Sequence, residues 1–376
     1  MTTRWRIAAI AGCVVLLTAV QVWRRHDRLS DPTPSKSYSG SSEGLEATVF
    51  VPTLDTPMPP GKNVIWCSSF QIAWNKLRND VIKAPVEVKG AEAIAKRLNN
   101  APQSENDLAP DSYFAAAGFV KDGITDQIAK GMAKEFAAAP TPQFDAPPEA
   151  LVAYAYLAAN VDFTIPFFEN RKDLVFKDSN GKETRVSSFG VRPEDDYAYF
   201  GLRKQVGLLF VRMAAEGFRK LEEFAVDPCN GSSPYQLVLA CVKPEGTLGE
   251  TVAALDKKAA EAAGTRDRET LGPNDVLLVP NAFWEITHRF RELEGKERLL
   301  LNQGFEHYYV DTALQTTRFR LDRSGAELSS EAKMFLRPFP SYYVFNRPFL
   351  IIMRKRGAAQ PFFVMWVDNA ELLEKR

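Results

Sequence analysis

The chain closes on two near-continuous apolar runs, residues 345–353 and 361–367, rich in Phe, Ile and Val and separated by Arg354-Lys355-Arg356-Gly357. Runs of this length predict buried strands, and the short basic spacer ending in glycine predicts a hairpin turn. Residues 316–321 predict a further strand, with a turn at Ser324-Gly325. The stretch between is patterned differently. Ala326, Leu328, Ser330, Ala332, Met334 and Leu336 are small or apolar, and Glu327, Ser329, Glu331, Lys333 and Arg337 between them are polar, with Phe335 the one exception. A period of two predicts a strand-capable segment with one buried face. Arg337-Pro338-Phe339-Pro340 follows at once, and two prolines do not sit in a central strand, so the segment is expected to run into an exposed loop.

The rest of the pattern mixes strands and helices. Strands are predicted at 63–68, 113–120, 151–168, 205–213, 236–242 and 276–280, with a further run over 283–290. Helical spacing covers 70–77, 91–98, 124–136 and 248–255, and a turn falls at Asp178-Ser179-Asn180-Gly181-Lys182. Residues 30–61, rich in Ser, Pro and Gly, predict a tether with one short strand candidate at 47–51. The expected organisation is a targeting segment (1–28), a tether (29–62) and one α+β domain (63–376). That domain is expected to hold a large, mainly antiparallel sheet, a second sheet containing 345–353 and 361–367, and helices packed behind.

A family resemblance attaches to the C-terminal pattern. The hinge-like Gly325-Ala326-Glu327, the exposed loop, and the sequence Phe345-Asn346-Arg347-Pro348-Phe349-Leu350-Ile351-Ile352-Met353 together resemble the hinge, reactive-centre loop and C-terminal signature of the serpins, a family of serine-protease inhibitors. Asn346, Arg347, Pro348 and Phe349 carry the most specific part of it. Weaker matches in serpin order extend from Asn63 to Val367. Cys67-Ser68 and Phe70 stand where the family has Ser-Pro and a following Ser, which departs from its usual polar cluster beneath the main sheet. Phe163 stands where the family has Trp, ahead of a matching Pro166-Phe167, and is assigned to packing. The first helix, and the helix that crosses the front of the main sheet, have no counterpart in this pattern. The chain therefore resembles a divergent, bacterial-type member.

The resemblance implies a serine-type endopeptidase inhibitor in which a protease cuts the exposed loop and the freed segment inserts into the main sheet. Its reactive residues would be Leu336, Arg337 and Phe339. Counting from Gly325 puts the cut at Phe339-Pro340, counting back from Phe345 puts it at Arg337-Pro338, and the bond not followed by proline is Leu336-Arg337. The implied partner is a serine protease, its identity open, and the expected state is monomeric with no cofactor. Two departures keep an alternative in view. Leu328-Ser329-Ser330-Glu331 occupies the place of an alanine-rich hinge, and Arg323 replaces an expected acidic residue. The alternative is a non-inhibitory serpin-like binding or scaffold protein at the cell surface.

Composition changes the picture at four points. Lys+Arg and Asp+Glu are both 47, so net charge indicates no nucleic-acid partner. Arg4 and Arg6, an apolar run over 7–22, and Trp23-Arg24-Arg25 predict a signal-anchor, with a cleaved signal peptide as the alternative. The domain is thus expected to be exported and membrane-anchored, or secreted. Basic residues flank both sides of that run, which leaves its orientation open. The four cysteines (Cys13, Cys67, Cys229 and Cys241) have no metal-ligand spacing, although a Cys229–Cys241 disulfide stays open. The histidines, His26, His288 and His307, fit no catalytic or metal motif, and no nucleophile elbow or phosphate loop is present, so the expectation is a non-enzyme.

Overall fold

In the computed structural model the described residues are 37–376, except 109, 138, 140–141, 161–162, 193–197, 216–220, 232–234, 265–267 and 324–339. The chain forms β1 (Tyr38–Ser41), β2 (Thr48–Phe50) and β3 (Asn63–Cys67), which runs straight into α1 (Ser68–Lys76) and a π-helical stretch, Leu77–Ile82. Next come α2 (Glu92–Asn100), β4 (Tyr113–Phe119), α3 (Ile124–Glu135) and β5 (Leu151–Asn160). β6 (Phe168–Glu169), β7 (Leu174–Lys177), β8 (Glu183–Val186) and β9 (Ser188–Val191) precede α4 (Ala198–Gln205). β10 (Gly207–Met213), β11 (Leu221–Asp227) and β12 (Tyr235–Cys241) precede α5 (Leu248–Ala262). The last strands are β13 (Val276–Pro280), β14 (Ala282–Arg289), β15 (Val310–Leu321), β16 (Tyr342–Val344), β17 (Phe349–Lys355) and β18 (Pro361–Val367).

These elements make an α+β fold, as the pattern predicts. The seven-stranded sheet, ordered β10-β11-β12-β17-β18-β3-β2, is antiparallel except where β2 joins β3. The two C-terminal runs are its β17–β18 hairpin, in register from Phe349↔Val367 to Met353↔Phe363, and Gly357 closes the turn in the left-handed region at φ 80°. One face of this sheet meets Leu248, Val252 and Leu255 of α5, through Trp66, Leu350, Ile352 and Val364. Its other face meets the five-stranded sheet, where Phe319 of β15 stacks on Phe363 of β18 at 4.9 Å. Burial on both faces is why these strands are apolar without alternation. Val364, with no measurable exposure, is typical.

The five-stranded sheet is ordered β1-β14-β15-β5-β4, with β1–β14 and β15–β5 parallel and the other two pairs antiparallel. α1 lies under it: Cys67, Ile72 and Ala73 pack with Ala155 and Leu157, and Phe70 and Trp74 with Leu151 and Phe290. A four-stranded sheet, β16-β13-β9-β6, and the β7–β8 hairpin complete the body.

Several elements differ from the sequence reading. The tether expected over 29–62 is, from residue 37 onward, part of the fold. β1 hydrogen-bonds along β14, β2 lies beside β3, and Phe50, Val51 and Thr53 are buried, so the folded unit is Lys36–Arg376. The run over 151–168 is not one strand: β5 ends at Asn160 and Phe168 begins β6 in a different sheet. Phe163 is buried edge-on against Phe167 at 4.6 Å, in the packing role expected of it. The signature run enters its strand only at Phe349, because Pro348 has no N–H for a ladder. Cys229 and Cys241 are buried and not joined to each other, so the open disulfide is not formed. Among the described residues between α3 and β5 there is no helix, and between 37 and 62 only a 3-10 turn, Ser42–Gly44. No described helix is long and apolar enough to cross a membrane, and the targeting segment lies outside the described residues.

Candidate functional site

The expected hinge (Gly325, Ala326, Glu327) and reactive residues (Leu336, Arg337, Phe339) lie outside the described residues. What is described are the two ends of that loop, the seam beside it, and the signature. The loop leaves from the end of β15 and returns at β16, which pairs in parallel with β13 from Val276↔Tyr342 to Leu278↔Val344.

The seam is the parallel contact of β15 with β5. Its register runs from Thr312↔Val152 to Arg320↔Asn160, with a bulge between Val310 and Thr312. A period of two gives each strand two faces. Ala313, Gln315, Thr317, Phe319 and Leu321 are buried toward α1, while Arg318 and Arg320 on the opposite face are half-buried. Both guanidinium groups lie over the ring of Phe283, at 5.3 and 5.9 Å, and Arg320 pairs with Asp322 at 2.5 Å. The front face nearer β4 is closed by Ile124, Ile128 and Met132 of α3. Phe136 and Phe144, from the segment after α3, pack on Tyr156 and Tyr154 at 4.7 and 6.0 Å. Burial pushes the Tyr156 phenol up to about 12, so it stays neutral.

Beneath the seam lies a polar cluster inside an apolar core. Thr317 Oγ1 sits 3.3 Å from Cys67 Sγ and accepts Gln315 Nε2 at 3.0 Å. Burial pushes the Cys67 thiol up to about 12, against the opposing hydrogen bonds of Thr317 and Gln315. The hydroxyls of Ser68 and Ser69 and Oε1 of Gln315 are buried with no hydrogen-bond partner among the described residues. The polar side chains joined to one another here are Cys67, Thr317 and Gln315.

The returning end of the loop is anchored by a residue the sequence did not single out. Asp275 is 1% exposed, and its carboxylate accepts the backbone N–H of Ser341 at 2.9 Å and of Gly272 at 2.7 Å, and pairs with Arg268 at 3.1 Å. Ser341 returns its carbonyl to Val276 N at 2.9 Å. The only sequence signal was an Asx-turn pattern, Gly272-Pro273-Asn274-Asp275, which also reads as an ordinary loop.

The signature residues hold the hairpin in place. Asn346 accepts Lys177 N through its carbonyl, Arg347 donates to the carbonyls of Leu221 and Glu222, and Phe349 is fully buried against Phe345 at 5.3 Å. These bonds tie the approach to β17 to β7 and β11. Among the described residues no group of three or more His, Cys, Asp or Glu is placed to hold a metal ion.

No family model matches the chain, and no curated protein matches it. Among solved structures it is similar to native protease nexin-1 with heparin, at 14% identity and a TM-score of 0.49, over 82% of this chain and 93% of that one. It is also similar to the thermophilic serpin tengpin in its native state, at 11% identity and a TM-score of 0.49, over 83% and 90%. A third similar structure is Serpin48 of the insect Tenebrio molitor, at 11% identity and a TM-score of 0.46, over 82% and 92%.

Proposed function

We propose that the chain is a serpin-type inhibitor of serine endopeptidases that traps its target by loop cleavage and strand insertion. The observation that carries the reading is the parallel β15–β5 seam, with the alternating segment leaving directly from the end of β15. A segment that folds back from β15 runs antiparallel to it, and because β5 is parallel to β15 it is antiparallel to β5 as well. Insertion would replace one parallel ladder by two antiparallel ones. It would also cover Leu328, Met334 and Leu336, worth roughly 1.5–3 kcal/mol each, and add ladder bonds of roughly 0.5–1.5 kcal/mol apiece.

In this reading an intact loop cannot enter the seam while both its ends stay attached, at β15 and at the Asp275 anchor. Cleavage removes one of them, so the stored difference is released only after the target has acted. In this reading the N-terminal segment holds the folded body at a membrane surface, where the target would be met.

The test is a protease screen against the full chain, read by denaturing gel and by thermal melting of the cut protein. A protease-stable covalent complex and a melting temperature raised by 10 °C or more, on the order of the gain above, are expected. A loop that is cut with neither result leaves a non-inhibitory binding or scaffold protein.

A further inference from the structure

We propose that the cavity between the π-helical end of α1, α2 and the segment after Ile82 binds an amphiphilic organic anion: an aliphatic chain ended by a carboxylate or a phosphate. The inference is independent of the loop and of the inhibitor reading. The cavity measures about 980 Å³, at the upper end of what small-molecule sites occupy. Its apolar lining includes Val86, Ala95 and Leu301, and Leu301 is 47% exposed, a large aliphatic side chain left in the mouth of a concave site.

The walls are built. Asn99 Oδ1 accepts Val86 N at 3.1 Å and Trp74 Nε1 at 2.9 Å, while its Nδ2 donates to Val86 O at 2.9 Å. From the other side Asn302 accepts Glu87 N at 2.9 Å and donates to Pro85 O at 2.8 Å. Two asparagines thus hold one short segment by both its donors and its acceptors, which presets the cavity instead of leaving it to close on a ligand. The π-helical turn, Leu77–Ile82, ends at Lys83 with φ 61°, a left-handed conformation in a residue other than glycine. A widened helical turn followed by such a residue is the sort of local cost that accompanies binding sites.

Charge decides the ligand class. Arg78, Lys83 and Lys96 line the cavity, and among the described residues none of the three has a carboxylate partner. Two carboxylates also line it. Glu92 accepts the backbone N–H of Gly90 at 2.7 Å and keeps its charge, so three cations stand against the two carboxylates Glu87 and Glu92. An apolar floor under an excess of cations selects a chain with one anionic end.

The experiment uses the full chain in a nanodisc of neutral lipid, with a diazirine-bearing decanoate as photoreactive probe and mass spectrometry to locate the label. Label on residues 78–100 and on Leu301, competed by decanoate or by decyl phosphate, is expected. The paired exposed substitutions Lys83→Glu and Lys96→Glu should weaken competition at least tenfold without moving the melting temperature. Leu301→Arg, which fills the mouth, should remove the label. The proposal fails if the label is scattered or unsaturable, if it is unchanged in both variants, if an uncharged diazirine alcohol labels the cavity equally well, or if inorganic phosphate competes as strongly as decyl phosphate.

Discussion

Ser341 donates its backbone N–H to the carboxylate of Asp275 at 2.9 Å, so a buried charge holds the point where the loop rejoins the body. The carboxylate keeps two further partners, Gly272 N and Arg268. Hydrogen bonds to a charged acceptor contribute about 1.5–3 kcal/mol each. Asp275→Ala is expected to lower unfolding free energy by about 3 kcal/mol in urea titration and to speed hydrogen exchange at Ser341 and Val276, with Asp275→Asn intermediate. Unchanged exchange at Ser341 would sink its role as the loop's anchor.

His288 makes a pH-dependent contact in the segment that was expected to be a tether. Its Nδ1 lies 2.7 Å from Ser42 Oγ, and its ring is stacked on Phe50 at 5.0 Å and set edge-on to Phe290 at 4.6 Å. Burial pushes its pKa down to about 4, only partly offset by Glu43. The folded state therefore favours the neutral ring. Its contribution is fully present above the unfolded value near 6.5 and is lost as pH falls from there toward 4, up to about 3 kcal/mol. The stability difference between the wild type and His288→Gln, measured at pH 7, 5 and 4, should shrink across that window. A difference independent of pH would show that folding does not shift the ring's titration.

These two residues mark where the sequence was legible and where it was not. The β17–β18 hairpin could be read because strands buried on both faces must be apolar, and 349–353 and 361–367 are. β4, β13, α1 and α3 were legible from periodicity. β1, with the sequence Tyr38-Ser39-Gly40-Ser41, carries no apolar pattern, because its pairing with β14 is through backbone at an edge. The second half of α5, residues 256–262, is mostly Lys, Ala and Glu facing solvent, so the apolar signal stopped at Leu255. After β5 the chain turns into the core, where Phe163 packs on Phe189, a contact that no short window along the chain contains. The seam itself joins residues about 160 positions apart, which periodicity cannot register. The residues most specific in sequence, Asn346 to Phe349, turned out to hold the hairpin, while the polar floor and the Asp275 anchor near the loop had no motif.

Gly190 tests how tightly the sheet that receives the loop's return is packed. It lies between Phe168 and Leu278 in the β6-β9-β13 register, and a Cβ placed on it would meet the carbonyl oxygen of Leu277 at 1.8 Å. That atom is backbone and has no rotamer to change. Gly190→Ala is expected to cost about 3 kcal/mol or more, read as a lower denaturant midpoint, because the β9–β13 ladder must part. A loss below about 0.5 kcal/mol, typical of an uneventful surface site, would mean that the ladder adjusts freely.

The seam makes a face-specific prediction about the segment outside it. On the α1 side, β5 and β15 present Ala155, Leu157, Gln315, Thr317 and Phe319, all buried, and nothing cationic. On the other side they present Arg318 and Arg320, half-buried, with guanidinium groups in reach of added acids. An inserted strand alternates between these surroundings. With Leu328 and Ser330 directed inward, Leu328→Glu or Ser330→Glu places an unpaired charge in the core, which costs more than the strand's apolar burial returns. Ser329→Glu on the arginine side is tolerated. After limited proteolysis between Leu336 and Ser341, wild type and Ser329→Glu should therefore gain melting temperature, whereas Leu328→Glu and Ser330→Glu should not. If all four gain equally, the cut loop does not enter the sheet, and the spring at the centre of the inhibitor reading is absent.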